Sequence, residues 1–155
     1  MKPQVSQQAK NYLRTRVMTA TREQLQMMLF DGAVRFAQQA RAALEKKDFE
    51  TSYNMLTRTQ HIVLELNRGL NHKEDPELCG KLAALYNFTY KKLVMANLKR
   101  DIVPLDDAIR IISHQRETWA LLMEEIARQK AGEAASRIDM PAPSEKMEAM
   151  ISVKG

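Results

Sequence analysis

A chain of 155 residues at 45% hydrophobic encloses one modest core rather than two. Gly and Pro number only five each and aromatics are sparse, while Ala, Leu, Glu, Lys, Gln, Arg and Met dominate, a composition that favours an all-α class. No apolar run is longer than that of Leu82 to Tyr86, which is too short to insert in a membrane; no apolar signal core follows Met1-Lys2-Pro3, and the lone Cys79 excludes an intrachain disulfide or a cysteine-based zinc site, so a reducing cytoplasm is the expected compartment.

The formal charge of +5 is concentrated at the N-terminus, where residues 1–20 carry Lys2, Lys10, Arg14 and Arg16 and no acid. This stretch reads as a basic arm with Tyr12 and Val17 as isolated apolar side chains, able to fold over the rest as a lid or to stay free as a docking peptide. The first helix begins after Thr21, which can cap it with Gln24 completing a capping box. Its stripe runs Leu25, Met28, Leu29, Gly32, Ala33, Phe36, Ala40 and Leu44 and fades at Lys46-Lys47. Asp48 caps a second helix with Leu56, Val63, Leu66 and Leu70 on one stripe and Met55 and Ile62 beside it, and residues 71–74 turn the chain.

Asp75-Pro76 marks the start of a third helix, with a capping carboxylate before a proline at the first helical position. It runs to about Arg100 and carries two apolar stripes, one of Leu78, Leu82, Leu85, Tyr86, Leu93 and Ala96, the other of Ala84, Phe88, Met95 and Leu98. Pro104 is expected to open the fourth helix, with Asp106 and Asp107 complementing its dipole. Leu105, Ile109, Ile112, Trp119, Met123 and Ile126 then follow a near-heptad interrupted by Arg116. Short connections between long helices predict an antiparallel up-and-down four-helix bundle over residues 21–130, followed by a flexible or partly helical tail over 131–155.

Chemistry is hard to find. Residues three before His61, His72 and His114 are Arg58, Gly69 and Ile111, so no Glu-x-x-His pair is available for a di-iron site. Asp106 and Asp107 point about 100° apart on a helix, the glycines form no phosphate loop, and Cys79 reads as a packing residue. No catalytic residue, metal or cofactor is expected. What remains is surface: the second stripe of the third helix is either a deeply buried corner of the bundle or a partner groove, and ten methionines suit both core filling and an adaptable surface.

At this point the residues resemble the FliS family of flagellar secretion chaperones, from Tyr12 to about Ala127. The resemblance rests on Tyr12, on Thr19-Ala20-Thr21 with Glu23 and Leu25, and on Met28-Leu29-Phe30-Asp31-Gly32-Ala33. Leu82-Ala83-Ala84-Leu85-Tyr86-Asn87-Phe88, Leu93-Val94-Met95-Ala96-Asn97 and Trp119 extend it. It implies a helical bundle, without cofactor, that binds the disordered C-terminal segment of flagellin, prevents premature polymerisation and delivers it to the export gate protein; a regulator of flagellin synthesis is a further partner. By motif position the implied client groove takes Ile62, Leu66, Leu82, Leu85, Tyr86, Leu93 and Asn97, and the implied gate-docking or lid residues are Tyr12 and Val17. Asn87 stands where Asp is common in the family, and Ala9 where an aliphatic residue three before the Tyr is usual. The alternative is a helical adaptor or regulator that binds an acidic partner or nucleic acid through the basic arm, and salt separates the two, because phosphate-driven binding weakens steeply with salt and apolar burial does not. A bundle enzyme with an external cofactor is the remaining alternative.

Overall fold

A computed structural model describes residues 6–139, and among them all regular structure is helical. The described residues divide into two compact units, the first ending at Thr118 and the second beginning at Trp119.

The basic N-terminal stretch contains a helix, α1 (Gln7–Thr19), that the apolar pattern does not announce. Ser6 caps it by accepting from the Ala9 N–H at 3.1 Å, and good helix formers such as Ala9, Lys10, Leu13 and Arg14 carry it forward. None of its residues is buried, so it stands on local interactions alone.

α2 (Arg22–Glu45) opens with the expected capping box: the Gln24 N–H donates to the Thr21 hydroxyl and the Thr21 N–H donates to the Gln24 side chain. At its other end Lys47 takes the left-handed conformation, φ 58°, with its N–H on the Leu44 carbonyl and the Asp48 N–H on that of Ala43. This is a Schellman closure. The Asp48 side chain then accepts from the Thr51 N–H and starts α3 (Phe49–Arg68), so one residue closes one helix and opens the next.

Asp75 and Pro76 start α4 (Pro76–Lys99) as the sequence predicts, with the Leu78 N–H on the Asp75 carboxylate. Its end repeats the device: Arg100 sits at φ 52° and the Asp101 N–H donates to the Ala96 carbonyl. The guanidinium of Arg100 also lies over the Phe49 ring, 4.1 Å from its centre, which brings the end of α4 to the start of α3.

The last helix, α5 (Ile102–Asp139), starts earlier than expected. Pro104 lies inside its first turn, where a missing N–H breaks no helical bond, and Asp101 accepts from the Val103 N–H ahead of it. The helix continues past Lys130 to Asp139, and the rest of the expected tail, 140–155, lies outside the described residues.

Within the first unit, α3 packs against both α2 and α4. The core is built from Phe30, Ala33, Ala37, Ala40 and Leu44 of α2, Leu56, Val63 and Leu66 of α3, Tyr86, Leu93 and Ala96 of α4, and Leu105, Ala108 and Ile112 of α5. The buried hydroxyls of Thr59 and Thr89 donate back to the carbonyls of Met55 and Leu85, both at 2.8 Å, and so cost little. Asp31 pairs with Arg116 and Asp106 with Arg41, tying α2 to α5, while Asp107 meets Lys92 of α4 at 3.5 Å. In the second unit, α5 from Trp119 onward exposes Leu121 and Leu122 and leaves Met123 and Ile126 half-buried.

The two left-handed residues give a stability prediction. Replacing Lys47 by Gly relieves a conformation that costs an L-residue roughly 1–2 kcal/mol, and after the added freedom of the unfolded chain it should stabilise the protein by about 0.5–1 kcal/mol in urea unfolding. Arg100→Gly gains the same relief but loses the contact with Phe49, worth about 0.5–1 kcal/mol at an exposed site, and should leave the midpoint nearly unchanged.

Candidate functional site

The two apolar stripes expected on α4 separate in the structure. Tyr86, Leu93 and Ala96 of the first stripe are buried, whereas Phe88 (48% exposed), Met95 (39%) and Leu98 (80%) of the second face outward, with Ala84 exposed on the same helix. The reading of the second stripe as a deeply buried corner is therefore corrected: α4 shows one apolar face to the core and one to solvent.

An open cleft of about 370 Å³ runs between α3 and α4, and of the exposed stripe Leu98 lines it. Its α3 wall is Tyr53, Thr57, Gln60 and His61, and its α4 wall is Tyr90, Val94, Asn97 and Leu98. Both sets follow the i, i+4, i+7, i+8 spacing that places side chains along one side of a helix. The Asn97 amide donates to the Gln60 side chain across the floor at 3.4 Å, a long and hence weak bond. A smaller depression of about 310 Å³, lined by Phe49, Glu50, Ser52, Tyr53, Asn97 and Arg100, shares Tyr53 and Asn97 with it. Two tyrosines, an aliphatic rim and a pair of loosely joined amides form a surface suited to a helical or extended peptide with apolar anchors.

The residues singled out from the sequence fall into four places. Asn97 lines the cleft. Ile62, Leu82 and Leu85 are half-buried; the Ile62 Cδ1 lies 3.3 Å from where a Cβ on Gly32 would stand, which makes Gly32 a point of close helix approach. Leu66, Tyr86 and Leu93 are at most 3% exposed, and these three belong to the core rather than to an open groove, because each falls on the inward stripe of its helix. Tyr12 and Val17 are exposed on α1, at 70% and 41%. Sequence reasoning missed most of the cleft wall, Tyr53, Thr57, Gln60, His61 and Tyr90 among it; the matching spacing on two consecutive helices was the available signal.

No cluster of three or more His, Cys, Asp or Glu among the described residues is arranged to hold a metal ion. The Cys79 thiol is buried and lies 3.3 Å from the Asn71 carbonyl. No described helix is long and apolar enough to cross a membrane.

Burial pushes the Tyr86 phenol from its usual value near 10 up to about 12. A raised folded value means the native state holds its proton more tightly than the unfolded chain, so this contribution is intact below pH 10 and is lost as the pH rises towards 12. On the order of 2 kcal/mol of stability should disappear across that window, and the step should be absent from Tyr86→Phe when urea midpoints of the two proteins are compared from pH 8 to 11.5.

The sequence of residues 5–126 matches the profile of the family described as "Flagellar protein FliS". Among curated relatives, the flagellar secretion chaperone FliS of Bacillus subtilis (strain 168) is 31% identical over 121 residues, covering 78% of this chain and 90% of that protein. The chaperone of the same name from Salmonella typhimurium is 29% identical over 116 residues, covering 74% and 86%. That of Campylobacter jejuni is 28% identical over 92 residues, covering 59% and 72%.

Proposed function

The chain belongs to the FliS family of flagellar secretion chaperones, and from that premise we propose that it captures the disordered C-terminal segment of flagellin in the cytoplasm, prevents its premature polymerisation and aids its delivery to the export gate. The observation that carries this reading is the cleft between α3 and α4, walled by Tyr53, Tyr90, Val94 and Leu98, the last of which also belongs to the outward apolar stripe of α4. Large apolar side chains grouped at the surface mark a binding site, and a disordered client can bury its own apolar side there while it folds. Of the motif residues, Asn97 meets the client directly and Ile62, Leu82 and Leu85 flank the contact, while Leu66, Tyr86 and Leu93 support the helices from within. In this reading α2, α3, α4 and α5 as far as Thr118 close an antiparallel up-and-down bundle, binding is its whole activity, and no catalysis, metal or cofactor takes part.

The second contact is α1. Tyr12, Leu13, Val17 and Met18 are all exposed among Lys10, Arg14 and Arg16, and this helix presents Tyr12 and Val17 to the export gate protein while the bundle holds the client. A regulator of flagellin synthesis is a third partner of the loaded or empty protein.

Calorimetry with the flagellin of the same genome, intact and lacking its C-terminal segment, separates this from binding of an acidic partner or nucleic acid through the arm. One-to-one binding that survives high salt, disappears with the truncation and weakens at least tenfold in Leu98→Asp, the effect of losing about 1.4 kcal/mol of contact, is the expected result. Affinity that collapses with salt, or that depends on Arg14 and Arg16 instead, would overturn it in favour of the adaptor. Tyr12→Ala should leave flagellin binding intact and abolish capture by the export gate protein in a pull-down.

A further inference from the structure

A second site lies on the seam between α2 and α3. The guanidinium carbons of Arg35, on α2, and Arg58, on α3, lie 5.1 and 5.5 Å from the centre of the same ring, that of Phe36. The two cations are thus no further apart than the sum of those distances. Both residues are exposed, and Phe36 is half-buried.

The ring sits at a close approach of the two helices. Its Cε2 lies 4.0 Å from the position of a Cβ on Gly32, and Ile62 of α3 reaches the same point at 3.3 Å. Phe36 is half-buried there, and a guanidinium lying over an aromatic face keeps its N–H edge free for an acceptor.

Among the described residues no carboxylate forms an ion pair with either arginine. The salt bridges among the described residues engage Arg41, Arg68, Lys81, Lys92, Arg110, Arg116 and Arg128, and none engages Arg35 or Arg58. Two exposed guanidiniums placed over one ring, neither taken by a described carboxylate, leave N–H donors that a carboxylate can engage in place of water. The pair is also isolated: the next arginine along α2, Arg41, is taken by Glu45 and Asp106, and the next along α3, Arg68, by Glu65. A nucleic-acid surface needs a run of cations that tracks a phosphate backbone. An isolated pair suits a short segment with one or two carboxylates.

We propose that Arg35, Phe36 and Arg58 form a docking site for an acidic peptide segment of a protein partner, whose carboxylates are held by the two guanidinium edges. The site stands apart from the α3–α4 cleft and does not rest on the flagellin reading.

The test is an NMR titration of the full chain, free of client, with a capped octaglutamate peptide, with octaglutamine, inorganic phosphate and a short DNA duplex as comparisons. The expected result is movement of the Arg35 and Arg58 Nε–Hε signals and of the Phe36 ring protons with octaglutamate and none with octaglutamine. Affinity should fall roughly tenfold in Arg35→Gln/Arg58→Gln, as expected for a lost charge-assisted contact, less in the double Lys variant, which keeps the charge but not the planar fork, and not at all in Arg14→Gln/Arg16→Gln. Movement centred on α1, an affinity indifferent to the double Gln variant, or tighter binding of phosphate or DNA at these signals would each overturn the proposal. Because both arginines are exposed, an unchanged amide spectrum of the variants away from the site confirms that folding is not what is lost.

Discussion

The separation between α2 and α3 sets the rest of the structure. The inner face of α2 carries Gly32, Ala33, Ala37, Ala40 and Ala43, all buried, so α3 can approach its backbone closely. Small side chains on one helix must be answered by large ones elsewhere if the interior is to be filled. That volume comes from Leu56 and Leu66 of α3, Leu93 of α4, and Leu105 and Ile112 of α5, all less than 2% exposed. A Cβ at Gly32 would press on Ile62, at 3.3 Å, while meeting the Phe36 ring at an ordinary 4.0 Å contact.

An interior filled in this way has no place for Phe88, Met95 and Leu98. They follow one another along α4 at helical spacing, and the helix can turn only one side inward. An isolated exposed leucine needs no explanation, whereas several large apolar side chains along the outer side of one helix do. α4 thus carries more apolar area than the core can accept, and the surplus faces outward.

How much of this was legible in the sequence depends on whether the signal is local. Thr21, Asp48, Asp75 and Pro76 act within one turn of their own position, and each marks the helix start where it was expected. Pro104 misled by two residues because proline is tolerated anywhere in the first turn. Periodicity put Tyr86 and Leu93 of α4 on one stripe without saying what covers it, and the resemblance, by motif position, implied a groove there; the structure buries both. Most of the cleft wall was missed because it is polar at Thr57, Gln60 and His61, and polar residues leave no trace in an apolar pattern. α1 was missed for the same reason. Arg116 was noticed only as a break in the heptad; its partner Asp31 is 85 residues away, and a pairing at that distance has no local signature.

That pairing settles a question the apolar pattern leaves open, which is how α5 runs relative to α2. The ion pairs Asp31–Arg116 and Arg41–Asp106 are half-exposed, and each contributes no more than about 1 kcal/mol. Their value lies in their order. α2 reads acid then base at 31 and 41, and α5 reads acid then base at 106 and 116, over the same interval. Antiparallel packing sets each acid against a base; parallel packing in that register would set Asp31 against Asp106 and Arg41 against Arg116. Apolar contacts tolerate either direction, so the charges supply the discrimination by penalising the wrong one. The arginine that interrupts the heptad of α5 gives up a core contact and in return fixes the direction in which the helix lies.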